Sequence, residues 1–227
     1  MTESAAYCEN LVRESDKDRF LASLFVPSAQ RADVFALYAF DLETGAIAAR
    51  VRDPVAGEVR FQFWSDTLSG DDAAALPVAQ AVRDVLQRHD LPVAPLLRLL
   101  DARRHALYEM PGIGDPAFEV LASETTAAIC EMAARLLSGR DDEPLRLASL
   151  HAGFATLAAR TMPDSPGRAE AIARHLEAVK DLIGLLPEAA LPAYLPLVLL
   201  PPDRARLPQW RKQWILWRAS RNLRAFM

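Results

Sequence analysis

The stretch from Arg31 to Asp66 constrains the fold of this chain more than any other segment. From residue 29 to residue 52, apolar side chains recur at three- and four-residue spacing, which is the period of an amphipathic α-helix. Pro54 ends that helix, because its ring cannot continue the helix and also disfavours helical geometry at Asp53. A second helix then runs over about 57–69. The stretch therefore predicts two consecutive helices separated by a tight break.

The rest of the chain shows the same helical period. Alanine and leucine dominate, glycine is sparse, and no alternating strand pattern flanked by hairpin turns occurs. The pattern predicts an all-α fold, with residues 1–227 forming a single domain of about eight to ten helices. The further predicted helices cover residues 3–14, 77–89, 93–109, 117–138, 145–161, 168–186 and 210–227.

Composition excludes several classes of function. The net charge is −4, so nucleic-acid binding has no support from a basic surface. No uncharged apolar run reaches the roughly 18 residues that a membrane-spanning helix needs. Cys8 and Cys130 lie far apart and match no metal-binding or redox spacing. We therefore expect a globular protein without a structural metal. The N-terminal segment is acidic and has no apolar stretch, so we expect no secretory signal.

Five segments resemble, in order and spacing, the squalene/phytoene synthase family. They are Arg31 with Tyr38-Ala39-Phe40, Trp64 with Asp66 and Leu68, Pro77-Val78 with Ala81, Leu100 to Arg104, and residues 121–130. The resemblance runs from Tyr7 to about Arg160. It implies an isoprenoid (terpenoid) synthase-like helical bundle around a central cavity. In that family, two helices carry aspartate clusters that hold magnesium and the substrate diphosphate.

The chain departs from the family where the resemblance would put those clusters. The first aspartates fall on Gly45, Ala46 and Ala49, and these side chains offer no oxygen ligand to magnesium. The second cluster aligns less well: its arginine corresponds to Arg160, and its aspartates to Thr161 and to residues 164–165. We therefore expect no catalytic residue, no metal ligand and no cofactor, with magnesium needed only if the chain is an enzyme after all.

A branch of the family shares these losses. This branch resembles the NADH dehydrogenase (complex I) assembly factor 6. The segments of this chain that are similar to the branch are Asp18 to Pro27, Gly57 to Trp64 and Leu191 to Pro196. The resemblance implies a pseudoenzyme that interacts with complex I subunits or assembly proteins, in the bacterial cytoplasm or peripheral at the inner membrane. One alternative is a prenyltransferase that condenses prenyl diphosphates head to head. A second alternative is a protein that holds an isoprenoid or lipid without chemistry.

Six residues are candidates for lining a ligand-binding cavity inherited from the enzyme fold. Asp41 lies four residues before Gly45 and therefore shares its helix face about one turn earlier. An arginine left in a former diphosphate site could still bind an anion. The alternative is that the charged members form ion pairs between helices. The candidates are Tyr38, Asp41, Gly45, Arg60, Asp101 and Arg104.

The last predicted helix combines tryptophan with basic residues. Trp210, Trp214 and Trp217 are four and three residues apart, so they share one helix face. That face could pack on the bundle, on a partner protein, or on a membrane surface as a peripheral contact.

Overall fold

The computed structural model describes residues 2–70, 76–161 and 167–227, and within these ranges the protein is helical without a strand. The prediction of an all-α fold is confirmed. None of the described helices is both long and apolar enough to cross a membrane. The α-helices are α1 (Glu3–Ser15), α2 (Lys17–Ser23), α3 (Ser28–Gly45), α4 (Ile47–Arg50), α5 (Pro54–Ser69), α6 (Pro77–Arg88), α7 (Ala94–His105), α8 (Pro116–Ala122), α9 (Ala128–Ser138), α10 (Glu143–Thr161), α11 (Arg168–Leu182), α12 (Leu191–Tyr194), α13 (Pro202–Ala205) and α14 (Gln209–Ala219).

Helix α3 lies at the centre of the bundle. Every residue from Asp33 to Asp41 is buried, so this helix has no solvent-facing side over more than two turns. It packs against α1, α6 and α9. Aromatic contacts fix its neighbours: Phe20 stacks on Phe35 with ring centroids 5.7 Å apart, and Phe40 meets Trp64 edge-on at 5.4 Å. The side chains from Asp33 to Asp41 are therefore held by packing on all sides.

The predicted break between the first two central helices is confirmed, with a shift of its end points. Helix α5 begins at Pro54, and the carboxylate of Asp53 accepts a hydrogen bond from the backbone N–H of Val55 at 3.0 Å. Gly57 therefore lies inside the first turn of α5 rather than before it. A Cβ on Gly57 would lie only 2.7 Å from a methyl carbon of Leu107, so glycine permits this close approach.

The predicted continuous helix over 29–52 was wrong at one point. It is interrupted at Ala46, which separates α3 from α4. Gly45 precedes the interruption, and glycine is a poor helix former because it loses more backbone freedom than other residues. The N–H of Ala46 still donates to the carbonyl of Leu42 at 3.0 Å, and the backbone angles of Ala46 stay in the right-handed helical region, so the interruption is local.

The predicted helix over 117–138 is present but contains a π-helical turn at Ser123–Ala127, between α8 and α9. Helix α10 crosses this turn very closely. A Cβ on Gly153 would lie 2.2 Å from the backbone nitrogen of Ala127. The hydroxyl of Thr126 donates to the carbonyl of Gly153 at 2.6 Å and ties the two segments together. The contact requires a residue without a side chain at position 153.

We predict that Gly153→Ala destabilises the protein by about 1–3 kcal/mol or more, because the added methyl must push α10 away from the π-helical turn. Gly184→Ala is the matched control, since a Cβ at Gly184 meets no atom within 4 Å. Urea unfolding of both variants measures the effect. Equal stability of the two variants would contradict the close approach.

Candidate functional site

A cavity of about 910 Å³ opens beside α3. Part of its wall is apolar and is formed by side chains from α5, α8, α9, α10 and the segment after α12. Another part is charged and is formed by side chains from α2, α3, α7 and α10. The apolar lining includes Phe61, Leu121, Ile129, Leu157 and Leu197, and the charged lining includes Asp16, Arg19, Asp41, Arg103 and Arg160.

Asp41 is the centre of the charged wall. It is 3% exposed, and three guanidinium groups surround its carboxylate. Its Oδ2 accepts from Nη1 of Arg19 at 2.6 Å and from Nη1 of Arg160 at 2.9 Å. Its Oδ1 accepts from Nη2 of Arg103, which comes from α7. Three helices other than α3 thus direct one arginine each at this carboxylate.

A second carboxylate completes the network. Asp16 caps α2, where its Oδ1 accepts from the backbone N–H of Arg19 at 2.9 Å. Its Oδ2 accepts from Nε of Arg19 at 2.8 Å and also from Arg160. The guanidinium of Arg19 also lies 4.5 Å from the ring centroid of Tyr38, in cation–π geometry. Three guanidinium groups therefore share two carboxylates.

This excess of positive charge controls the ionisation of Asp41. Burial by itself would raise the pKa of Asp41, but the charges of Arg19, Arg103 and Arg160 outweigh burial and hold that pKa far below its ordinary value. Asp16 follows the same logic: burial opposes its ionisation, yet Arg19 and Arg160 lower its pKa. Both carboxylates therefore remain charged and committed to arginine at neutral pH.

Arg103 also occupies the space beside Gly45, the first position where the resemblance implies a metal-binding aspartate. A Cβ built on Gly45 would lie 3.5 Å from Nη2 of Arg103. The other arm of this guanidinium donates to the carbonyl oxygen of Asp41 at 3.0 Å and to the hydroxyl of Thr44. A cation is thus fixed by hydrogen bonds at the end of α3, next to the interruption at Ala46.

Three of the six candidate residues line the cavity: Tyr38, Asp41 and Gly45. Burial raises the pKa of the Tyr38 phenol, so this group stays neutral. Ala46 also lines the cavity, whereas Ala49 is exposed on α4 and is not among the lining residues. The structure therefore brings the predicted face of α3 to the cavity, and whether these residues bind a ligand remains a prediction.

The other three candidates do not line the cavity, which corrects the expectation for their position. Arg60 is exposed on α5. Asp101 is exposed on α7, with its carboxylate 3.7 Å from Arg104. Arg104 turns to α5, where it donates to the side chain of Gln62 at 3.3 Å. Helix α7 is rotated so that Arg103, and neither of its candidate neighbours, points at α3.

The region aligned with the second aspartate cluster is described only in part. Arg160 joins the network around Asp41. Thr161 lines the cavity, and its hydroxyl donates to the carbonyl of Leu157 at 2.8 Å. Residues 164–165, which the alignment placed at the later carboxylates, lie outside the described residues. In the parts of the chain that are described, no group of three or more His, Cys, Asp or Glu side chains is arranged to hold a metal ion.

From the sequence, Arg160 was aligned with the arginine of the second cluster, and none of the three arginines of the network was predicted to line the cavity. Arg19, Arg103 and Arg160 each lie inside a segment that carries the family resemblance, but a single sequence does not say which face of a helix a charged residue occupies. Asp16 could have been found as a helix cap, because it directly precedes α2 in a polar link.

The family model for squalene/phytoene synthase matches residues 12–164, more than half of the chain. The protein belongs to this family. Two solved structures share the fold over nearly the whole chain. A dehydrosqualene synthase in complex with ligand superposes with a TM-score of 0.76 at 16% identity, covering 98% of this chain and 97% of that one. The squalene synthase HpnC from Alicyclobacillus acidocaldarius gives 0.68 at 17% identity, covering 96% and 93%. The isoprenoid synthase-like bundle is therefore confirmed.

Two curated proteins with similar sequences carry the name of an assembly factor. The NADH dehydrogenase (ubiquinone) complex I, assembly factor 6 of Homo sapiens is 29% identical over 138 residues, which is 60% of this chain. The protein of the same name from Bos taurus matches at the same identity and length. In both cases the match covers 41% of the relative's own length.

We predict that Asp41→Asn lowers the stability of the fold by about 3–5 kcal/mol, because it removes the buried carboxylate that three arginines share as their main counter-charge. The folded pKa of Asp41 lies below the unfolded one, so its stabilisation is present above about pH 4 and is lost as the pH falls further. The variant should therefore lack part of the acid-induced loss of stability. Urea unfolding at pH 7 and at acidic pH measures both effects.

The control for this variant is Asp84→Asn, at an exposed position on α6. It should stay within about 0.5 kcal/mol of the parent. If Asp41→Asn were as stable as this control, the network around Asp41 would not stabilise the fold as its geometry indicates.

Proposed function

We propose that this protein is a non-catalytic member of its family that supports assembly of the respiratory NADH:quinone oxidoreductase. The observation that carries the proposal is the guanidinium of Arg103 beside Gly45. It sets a fixed cation, hydrogen-bonded to Asp41 and Thr44, where the family resemblance implies a magnesium-binding carboxylate.

Simple electrostatics support this interpretation. A magnesium ion needs several oxygen ligands in octahedral array. Asp41 is the carboxylate of α3 that lines the cavity together with Gly45, and Arg19, Arg103 and Arg160 already take up its two oxygens. For a metal to bind there, at least one arginine would have to leave a buried ion pair, and removing one partner from such a pair is costly.

The relatives support the choice of complex. Proteins named complex I assembly factor 6 match more than half of this chain. We propose the same assembly role for this chain, with subunits or other assembly proteins of the oxidoreductase as its partners. The site of action would be the bacterial cytoplasm or the inner face of the membrane.

An exposed apolar stripe on α5 supplies a surface for such a partner. Val55, Val59 and Phe63 follow one another at four-residue spacing, so they share one face. Their exposed fractions are 58%, 65% and 49%. We call these three residues the α5 stripe. Contiguous apolar surface of this kind is typical of protein contacts.

A second candidate function is the binding of an isoprenoid or lipid without chemistry. The cavity favours it, because about 910 Å³ lies within the usual range for small-molecule sites and much of its wall is apolar. Retained prenyltransferase activity is the remaining alternative, and it differs from both by requiring magnesium.

We predict that the purified protein releases no diphosphate from farnesyl or geranylgeranyl diphosphate in the presence of magnesium, while an active squalene synthase does so in the same assay. Millimolar magnesium, with or without a diphosphate analogue, should leave the melting temperature unchanged. A ligand at a hundred times its dissociation constant would add about 2.7 kcal/mol of stability and raise the melting temperature by several degrees. Turnover or such a rise would contradict the non-catalytic proposal, whereas a rise with the isoprenoid alone would favour the second candidate.

We predict that deleting the gene lowers NADH:quinone oxidoreductase activity in membranes of its host, and that the parent chain restores it. Val59→Glu, in the α5 stripe, should restore much less, because a charge enters the proposed contact. Val120→Glu is the matched control, since Val120 is 61% exposed on α8. Unchanged oxidoreductase activity after deletion would contradict the assembly role. Equal restoration of activity by both variants would show that the α5 stripe is not the contact with the partner.

A further inference from the structure

Helix α14 exposes large aromatic side chains, which is unusual for a helix whose outer side contacts only water. Its inner side packs on the protein through Leu216 and Ala219, which are fully buried. Its outer side carries Trp210, Trp214 and Trp217, with exposed fractions of 65%, 52% and 50%. A surface helix normally places polar side chains opposite its buried face. Here three large aromatic side chains lie in a row on the outermost line, and we call them the Trp ridge.

Each tryptophan of the ridge is paired with an arginine of the same segment. Arg211 lies 5.0 Å from the ring centroid of Trp210, and Arg218 lies 4.8 Å from that of Trp214. Arg221 lies 4.8 Å from the ring centroid of Trp217. The ridge therefore offers apolar ring area with positive charge immediately beside it. Indole rings flanked by basic side chains suit the boundary between headgroups and acyl chains of a bilayer.

Charge in this part of the chain differs sharply from the rest. Residues 204–227 contain seven of the 26 Lys and Arg residues and none of the 30 Asp and Glu residues. Lys212 is bound to Asp18 at 2.7 Å, and Arg204 donates to backbone carbonyls, so these two are committed within the fold. The other five are Arg206, Arg211, Arg218, Arg221 and Arg224. An acidic protein thus contains one strongly basic segment, and three of its arginines lie beside the Trp ridge.

The shape of the ridge favours a flat partner. The three tryptophans project from the side of α14 opposite its buried residues, and they form a line rather than the wall of a groove. The ion pair of Lys212 with Asp18 fixes how far α14 is rotated against α2. The ridge is therefore presented rigidly outward, as a contact with an extended surface requires.

We propose that the Trp ridge and its arginines form a docking surface for an anionic lipid bilayer, with the indoles at headgroup depth and the guanidinium groups on lipid phosphates. Basic residues near an anionic membrane strengthen binding in a salt-dependent way. The surface lies outside the cavity and apart from the α5 stripe. The proposal holds independently of the assembly role.

The test is sedimentation of the full chain with vesicles of phosphatidylcholine alone or mixed with phosphatidylglycerol, at low and high salt. The parent chain should bind the mixed vesicles at low salt, bind less at high salt, and bind phosphatidylcholine alone weakly. Trp210→Ser, Trp214→Ser and Trp217→Ser together should lower the partition coefficient at least about tenfold. Arg211→Gln, Arg218→Gln and Arg221→Gln together should remove the preference for the anionic lipid. Val55→Ser, Val59→Ser and Phe63→Ser together are the matched control and should bind as the parent does.

Quenching of tryptophan fluorescence by bromine-labelled acyl chains tests the contact in the unmodified chain, without relying on variants that fold. The fourth tryptophan, Trp64, is 6% exposed and should not be quenched. The proposal is overturned if the parent ignores anionic vesicles, if quenching is absent, or if the control loses as much binding as the ridge variant. A ridge variant that keeps vesicle binding but fails to support the oxidoreductase would assign the ridge to a protein partner instead.

Discussion

The pairing of Asp41 with three arginines is the interaction on which the rest of the structure depends. It joins α2, α3, α7 and α10 through one carboxylate that is almost fully buried. Such a group is tolerated inside a protein only when hydrogen bonds from opposite charges replace the water that it loses. The arginines supply those bonds, and in doing so they fix the rotation of each helix around the cavity. The network therefore stabilises the fold and also sets the charge in the site.

A shared fold leaves the chemistry of a site open. The same bundle, with TM-scores of 0.76 and 0.68, appears in the structures of a dehydrosqualene synthase and a squalene synthase. In this chain the end of α3 carries Gly45 beside a guanidinium, so the local charge is positive where the family resemblance implies a site for metal. We propose a structural or binding role for the cavity, and we propose that the exposed faces of α5 and α14 make the contacts with partners.

Much of the helical framework could be predicted from the sequence, because apolar period and proline position are local signals. The break before Pro54 shows this, since proline acts on its own neighbours. The interruption at Ala46 was missed, because a single glycine inside a long helix is often tolerated. In the site, the face of α3 bearing Asp41 was predicted from its spacing. The orientation of α7 could not be predicted in this way. A rotation by two residues exchanges Asp101 for Arg103, and the packing of α7 against α5 and the π-helical turn decides between them.

The central claim is that Arg103 and its two companions hold Asp41 in the form that excludes a metal–diphosphate site. The most direct measurement is a crystal structure of the protein grown with magnesium and a farnesyl thiodiphosphate. We predict that Asp41 keeps its bonds to Arg19, Arg103 and Arg160, with no metal density between Asp41 and Gly45. Magnesium ions coordinated by Asp41, with Arg103 displaced from α3, would contradict the account.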